Sequence, residues 1–158
     1  EKVRERLLQH CEENPNHNFV AGLGSVLFHS LLACADVLVG NSSSGLLEAA
    51  SFGLPVVNVG GRQTGRLCGY NVLNVAGERE AIERALVLAI DDSEFRARAA
   101  RATNPFQRSD AAEHVARVLA ESLQLDRKRL LLKRAVEGNP SRIGDLQRVP
   151  EYPDGKDR

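Results

Sequence analysis

The sequence has no excess of charge of either sign, because 21 Lys and Arg residues balance 21 Asp and Glu residues. Proteins that bind nucleic acids or membrane surfaces generally carry a basic excess, so we expect neither kind of partner. No apolar run reaches the roughly 18 residues of a membrane-spanning helix, and we find no signal-peptide pattern. These absences predict a cytosolic, or cytoplasmic, protein.

Cysteine is also scarce, with Cys11, Cys34 and Cys68 widely spaced along the chain. No CxxC pair or Cys/His cluster occurs, so the pattern supports neither a metal site nor a disulfide framework. All three cysteines are predicted to be structural. Cys34 lies in an apolar stretch and is expected to fill a small space in the core.

Groups with a recognisable catalytic pattern are missing as well. None of the four histidines, His10, His17, His29 and His114, pairs with a nearby Ser, Asp or Cys in a nucleophile pattern. A nicotinamide cofactor is not indicated either, because Gly22-Leu23-Gly24 lacks the third glycine and the ribose-binding acid of a dinucleotide fingerprint. We therefore predict no catalytic residue and no cofactor in this chain.

Apolar runs alternate with helical periods along the chain. Strands are predicted at residues 19–23, 36–40, 55–60 and 71–75, and helices at residues 3–13, 25–34, 46–52, 78–90, 93–101, 109–123 and 126–135. Strands that alternate with helices form parallel sheets, and short apolar runs rich in β-branched residues are typical of their buried strands. An α/β fold follows, with ligands expected beyond the carboxyl ends of the strands.

Residues 40–45, Gly-Asn-Ser-Ser-Ser-Gly, connect a predicted strand to a predicted helix. The N-terminus of a helix attracts anions, and Ser42, Ser43 and Ser44 add hydroxyl donors, so this serine loop suits a diphosphate. An ordinary N-cap with spare serines would have the same sequence. Glu48 follows early in the helix, where a carboxylate favours the helix dipole or could accept hydrogen bonds from a ribose diol.

Residues 60–66, Gly-Gly-Arg-Gln-Thr-Gly-Arg, follow the next strand and form the arginine loop. Arg62 and Arg66 could clamp a phosphate, and the glycines let the backbone curl around a ligand. A solvated basic turn remains the alternative. Two anion-directed loops on one sheet edge favour a single binding site.

Residues 23–75 resemble the hydrolysing UDP-N-acetylglucosamine 2-epimerases of sialic acid pathways. The match is dense and unbroken over residues 35–75, ADVLVGNSSSGLLEAASFGLPVVNVGGRQTGRLCGYNVLNV. The resemblance implies a Rossmann-like, three-layer α/β domain with a parallel sheet, the C-terminal domain of a B-type glycosyltransferase architecture. It implies conversion of UDP-N-acetylglucosamine to N-acetylmannosamine and UDP, without a metal or other cofactor. One family motif is altered, because the chain has NPFQRSDAA at residues 104–112 and lacks the glycines of the family's NPYGDG pattern.

The same resemblance implies roles for residues that bind UDP. Ser42 and Ser43 would bind the diphosphate or nearby ribose, Glu48 the ribose hydroxyls, and Arg62 the nucleotide. Phe28, which the residues alone would place in the core, would stack on uracil, and the backbone near Leu23 would contact the uracil edge. The predicted substrate-binding set is Leu23, Phe28, Ser42, Ser43, Ser44, Gly45, Glu48, Arg62, Gln63 and Arg66.

The family's catalytic domain has no counterpart here, so the chain is expected to be an inactive piece of a longer enzyme, without its N-terminal domain. Residues 1–135 are the predicted UDP-binding domain, and residues 136–158, rich in Pro, Gly and charge, a flexible tail. A homo-oligomer is a possible assembly. The alternative functions are half of a B-type glycosyltransferase that binds a UDP-sugar, and a non-catalytic nucleotide-binding module.

Overall fold

The computed structural model describes residues 2–122 and 147–150. The chain divides into two compact units, residues 1–34 and residues 35–158. The predicted helix at 126–135 and most of the predicted tail lie outside the described residues.

The first unit contains two helices, α1 (Lys2–Glu13) and α2 (Gly24–Cys34). α1 ends where the Asn14 side chain donates a hydrogen bond to the His10 carbonyl at 2.8 Å. The strand predicted at 19–23 is wrong, because this segment is irregular and joins α2 at Gly24. A strand needs a pairing neighbour, and the described part of this unit contains none. Cys34 is exposed rather than in the core as predicted.

The second unit is built on a parallel sheet of three strands in the order β1-β2-β4. A two-stranded antiparallel ribbon, β3-β5, accompanies this sheet. The strands are β1 (Leu38–Gly40), β2 (Val56–Val59), β3 (Leu67–Cys68), β4 (Val72–Val75) and β5 (Gln147–Arg148). The helices are α3 (Ser44–Leu47), α4 (Arg79–Asp91), α5 (Ser93–Ala100) and α6 (Ala111–Ser122), with 3₁₀ turns at Ala49–Phe52 and Gly61–Gln63.

β2 is buried on both faces, which produces the predicted three layers. Val57 belongs to a core cluster with Ala85 and Ala89 of α4 and Phe95 of α5. The neighbouring Val56 is 2% exposed and lies on the side of α3. Because successive side chains of a strand point to opposite faces, α3 and α4 cover opposite sides of the sheet. The predicted α/β class with a parallel sheet is confirmed.

A polar pair lies inside this apolar sheet. Asn58 of β2 is opposite Asn74 of β4 in the strand register. The Asn58 amide donates a hydrogen bond to the Asn74 side-chain oxygen at 2.9 Å, and Asn58 is 1% exposed. The pairing gives the buried Asn58 amide a partner, and the Asn74 amide in turn donates a hydrogen bond to the Cys68 sulfur at 3.9 Å.

The region predicted as a tail contains one described segment, residues 147–150, and this segment is ordered differently from the prediction. Gln147 and Arg148 form β5, antiparallel to β3. Val149 is 2% exposed. A buried side chain and ladder hydrogen bonds give these residues a fixed place in the second unit.

Candidate functional site

The serine loop and the arginine loop emerge side by side from the sheet. β1 and β2 are parallel neighbours, with Gly40 opposite Asn58. The serine loop follows β1 and the arginine loop follows β2, so both leave the sheet at the same edge. This predicted meeting of the two loops at one sheet edge is confirmed. Such an edge is where open parallel sheets bind ligands.

The serine loop is ordered by hydrogen bonds within itself. The Leu46 and Leu47 N–H groups donate to the Ser43 carbonyl at 3.0 and 2.8 Å. The Ser42 hydroxyl donates to the Ser44 hydroxyl at 3.3 Å and accepts from the Ser44 N–H at 3.4 Å. Several N–H groups that a helix start could offer to an anion therefore already have partners.

The serines do not act as the ordinary N-cap that the sequence also allowed. Ser43 holds the N-cap position of α3 with helical backbone angles, and its side chain makes no capping bond. α3 is only four residues long, so its dipole is small. The groups of this loop best suited to meet an anion are hydroxyls: Ser42 is exposed, and Ser43 and Ser44 are half-buried.

Gly45 lets the serine loop pack closely against β2 of the sheet. It is buried, and a Cβ at this position would lie 2.9 Å from the Val56 Cγ1 atom. Packing against β2 therefore accounts for a glycine here, whatever ligand the loop binds.

Glu48 is half-buried at the junction between α3 and the 3₁₀ turn Ala49–Phe52. Its backbone leaves the helical region there, at φ −122° and ψ −43°, so the single helix predicted over 46–52 is two short pieces. The Glu48 N–H donates to the Ser44 carbonyl at 3.0 Å, and its carbonyl accepts from Ser51 N–H. These bonds fix the Glu48 backbone at the end of α3, directly after the serine loop.

Asn104 supports this junction, and the sequence reasoning missed it. Its side-chain amide donates to the Leu47 carbonyl at 2.9 Å and to the Ser51 hydroxyl at 2.6 Å, one on each side of Glu48. Its side-chain oxygen accepts from the Phe106 N–H at 2.9 Å. The altered NPF motif thus has a structural role, which the isolated Asn-Pro signal could not indicate.

The arginine loop turns through two glycines with left-handed backbone angles, Gly60 at φ 74° and Gly65 at φ 76°. Side chains rarely adopt such angles, so the glycines make this tight path possible. Arg62 and Arg66 are both exposed. Within residues 2–122 and 147–150, neither guanidinium forms an ion pair. Exposed guanidinium groups of this kind form strong hydrogen bonds with phosphate oxygens.

Gln63 joins the two loops. Its side-chain amide donates to the Asn41 carbonyl in the serine loop at 2.7 Å, across 22 positions of sequence. The side chain is 3% exposed, and its oxygen is buried without a partner in the described structure. Gln63 was predicted to bind substrate, and its observed place makes it a link between the loops.

The described positions of the ten predicted residues fall into two groups. Leu23 and Phe28 belong to the first unit, where both are half-buried and Phe28 lies in α2. The second unit brings together the other eight, which are Ser42, Ser43, Ser44, Gly45, Glu48, Arg62, Gln63 and Arg66. Their binding of UDP stays a prediction.

Cys68 lies beside the arginine loop, in β3, and is fully buried. Burial raises the pKa of the Cys68 thiol, while hydrogen bonds with the Asn74 and Gln147 groups act in the other direction.

Among the described residues, no group of three or more His, Cys, Asp or Glu side chains could hold a metal ion. Over the same part of the chain, no helix is long and apolar enough to span a membrane.

Comparison with known proteins gives relatives for most of this architecture. A UDP-N,N'-diacetylbacillosamine 2-epimerase (hydrolyzing) of Legionella pneumophila is 42% identical over 89 residues, which are 56% of this chain and 23% of that protein. Polysialic acid biosynthesis protein P7 of Escherichia coli is 26% identical over 126 residues, 80% of this chain and 32% of that protein. The chain thus spans less than a third of either relative.

A crystal structure described as that of a UDP-N-acetylglucosamine 2-epimerase from Listeria monocytogenes has the same fold, with a TM-score of 0.62 at 18% identity. The similarity covers 80% of this chain and 35% of the Listeria chain. The family model for UDP-N-acetylglucosamine 2-epimerase matches residues 1–120. On this match, which includes both loops, the chain belongs to the UDP-N-acetylglucosamine 2-epimerase family.

Proposed function

We propose that this chain is the UDP-binding half of a hydrolysing UDP-N-acetylglucosamine 2-epimerase. The observation that carries the proposal is the pair of loops linked by the Gln63–Asn41 hydrogen bond of 2.7 Å. One loop supplies hydroxyl donors and the other two exposed arginines, which is the complement that a diphosphate requires. The family match over residues 1–120 adds UDP-sugars as the substrate class.

In this proposal the two loops stabilise UDP as it leaves the sugar. The family reaction breaks the bond between C1 and the UDP oxygen while a base removes the C2 proton, and water then adds to the glycal. Negative charge grows on the departing diphosphate, and in this proposal Arg62, Arg66 and the serine hydroxyls offset it. In the same proposal, the Glu48 carboxylate accepts hydrogen bonds from the ribose hydroxyls, Phe28 stacks on uracil, and the backbone near Leu23 contacts the uracil edge.

The acid and base groups of the reaction belong, in this proposal, to the part of the family that the chain does not span. The pure 158-residue chain should therefore release no UDP from UDP-N-acetylglucosamine above background. Release at an enzymatic rate would contradict the division of labour and would require a catalytic group within the chain itself.

Binding of UDP is the direct test. We expect weak binding to this chain, ~1 mM or about −4 kcal/mol, because in this proposal the rest of the site lies in the part of the family fold that the chain does not span. Arg62→Ala removes a charge-assisted contact of about 1.5–3 kcal/mol and should abolish detectable binding by calorimetry or ligand-observed NMR. Arg84→Ala, which removes an exposed arginine of α4, is the matched control. Equal binding by wild type and Arg62→Ala would mean that the arginine loop is a solvated turn.

A second candidate concerns the sugar. The Legionella relative is named for UDP-N,N'-diacetylbacillosamine. Both candidates share UDP and therefore the same two loops. Release of UDP by a protein that contains this chain and the remainder of the family fold, measured with each UDP-sugar in turn, separates them. The half-glycosyltransferase alternative predicts that release depends on an added acceptor sugar.

A further inference from the structure

The arginine loop runs directly into the ribbon that β3 forms with β5. In that ribbon Leu67 lies opposite Arg148, and Cys68 lies opposite Gln147. The family match ends at residue 120, so β5 comes from a part of the chain beyond the matched region. The loop that carries both arginines is therefore held by a segment outside the family match.

Backbone hydrogen bonds attach this segment to the loop itself. The Gly65 N–H donates to the Val149 carbonyl, and the Val149 N–H donates to the Arg66 carbonyl, both at 3.0 Å. The Thr64 hydroxyl donates to the Pro150 carbonyl at 3.3 Å. The segment thus fixes the backbone on both sides of Gly65, a position where the chain is otherwise permissive.

Side chains anchor the segment to the sheet. The Gln147 amide donates to the Gly69 carbonyl at 3.0 Å and to the Val72 carbonyl at 2.6 Å. The Val149 side chain is 2% exposed, and the Arg148 guanidinium donates to the Gly65 carbonyl at 3.1 Å. The attachment therefore reaches from the loop to the start of β4, which is itself part of the main sheet.

We propose that residues 147–150 are a positioning element that holds the arginine loop in its binding conformation. A glycine-rich loop that is ordered only by its ligand loses binding free energy to that ordering, and an external brace removes this cost. The hold on the loop is a property of the structure alone. Its effect on UDP rests on the proposed function, so the two are tested by separate measurements.

The reactivity of Cys68 measures whether the positioning element, residues 147–150, stays attached. Its thiol is fully buried and donates a hydrogen bond to the Gln147 carbonyl at 3.5 Å. A thiol reagent reaches it when β5 moves away, so the labelling rate measures this opening. The other two cysteines are replaced by serine, because Cys34 is exposed and Cys11 half-buried.

In the whole chain, Val149→Asp places a charge in a buried position and should accelerate Cys68 labelling at least about tenfold. Val87→Asp is the matched control, because Val87 of α4 is 59% exposed. Val149→Ile keeps a β-branched apolar side chain, so Cys68 in this variant should be labelled as slowly as in the protein with Val149. Gln147→Ala, a milder change, should raise the rate less and provides a second variant should Val149→Asp not fold.

Unchanged labelling in both Val149→Asp and Gln147→Ala would overturn the proposal. With labelling accelerated, UDP binding should weaken at least several-fold in these variants and recover in Val149→Ile. Unchanged UDP affinity in variants that open, where Arg62→Ala does abolish binding, would also overturn it as a positioning element. Absence of UDP binding in wild type would contradict the proposed function, while the labelling result would still decide the hold on the loop.

Discussion

The two loops of the candidate site occupy equivalent places after neighbouring parallel strands, yet they are ordered in different ways. The backbone hydrogen bonds of the serine loop and the start of α3 join residues four or fewer positions apart, such as Leu47 N–H to the Ser43 carbonyl. The arginine loop depends on Asn41, 22 positions before Gln63, and on Pro150, 86 positions after Thr64. Most bonds of the serine loop are thus local, with Gln63 and Asn104 as its distant partners, whereas the arginine loop is held at both ends of its turn by distant segments.

The largest expected effect concerns Asn104, which supports the junction behind the serine loop from a distant part of the sequence. Asn104→Ala removes three hydrogen bonds. At about 1 kcal/mol for each bond, the free energy of unfolding should fall by about 3 kcal/mol, measured by urea denaturation. Ser51→Ala, which removes one of these partners, should cost about 1 kcal/mol. A loss for Asn104→Ala no larger than that for Ser51→Ala would show that the serine loop is ordered without it.

The next effect tests the close packing of the serine loop against β2. Gly45→Ala brings a methyl group to 2.9 Å from the Val56 Cγ1 atom, and overpacking of this kind costs about 1–3 kcal/mol of stability. Gly77→Ala is the control, because a Cβ there meets no atom within 4 Å. Thermal unfolding of both variants checks the prediction. Equal melting temperatures would mean that β2 and α3 separate without cost.

A smaller effect on stability is expected from Gln63→Leu, which tests whether the link between the two loops matters for binding. Gln63→Leu loses the bond to Asn41 but also removes a buried oxygen that has no partner in the described structure. These contributions oppose each other, so the unfolding free energy should change by less than about 1 kcal/mol. UDP binding should nevertheless weaken, because the link between the loops is gone. Normal affinity together with normal stability would make the link irrelevant to binding.

The smallest effect appears only in alkaline solution. The pKa of the Cys68 thiol is raised in the folded protein by burial, so the unfolded thiol ionises first. Stability is unaffected well below the usual value of 9.0 and falls as the pH rises above it. The loss should grow as the pH rises above this value and should vanish in Cys68→Ala. Cys34→Ala, at an exposed thiol, should leave the pH profile unchanged.

Local sequence was sufficient to predict most of the strands and loops of the second unit. Apolar β-branched runs predicted three parallel strands, because a strand covered on both faces has few alternatives to such composition. Because each loop follows a parallel strand, the sequence also predicted that the serine and arginine loops share one edge of the sheet. The family match over residues 1–120 and the Listeria structure agree with this reading of the fold.

The remaining features depend on partners that are distant in sequence. Nothing near Asn104 indicates that it reaches Leu47, and nothing in the Pro- and Gly-rich end indicates that Val149 is buried. Apolar runs alone were also misleading, since residues 19–23 have strand composition and no strand partner in the described structure, and Cys34 lies in an apolar helix on an exposed position. Composition states what a segment can bury, whereas only the fold decides what covers it.

The Asn58–Asn74 pair has a consequence for how the strands align. Apolar side chains alone would tolerate a slip of β2 along β4, because each valine would meet another hydrocarbon group after the shift. A slip of β2 against β4 by two residues would instead place Asn58 opposite Val72 or beyond the strand end, and the amides would lose their 2.9 Å bond. A buried amide without its partner costs about 1–3 kcal/mol. This single polar pair therefore fixes the register of β2 against β4. It thereby also fixes the position of the β2 end from which the arginine loop leaves the sheet.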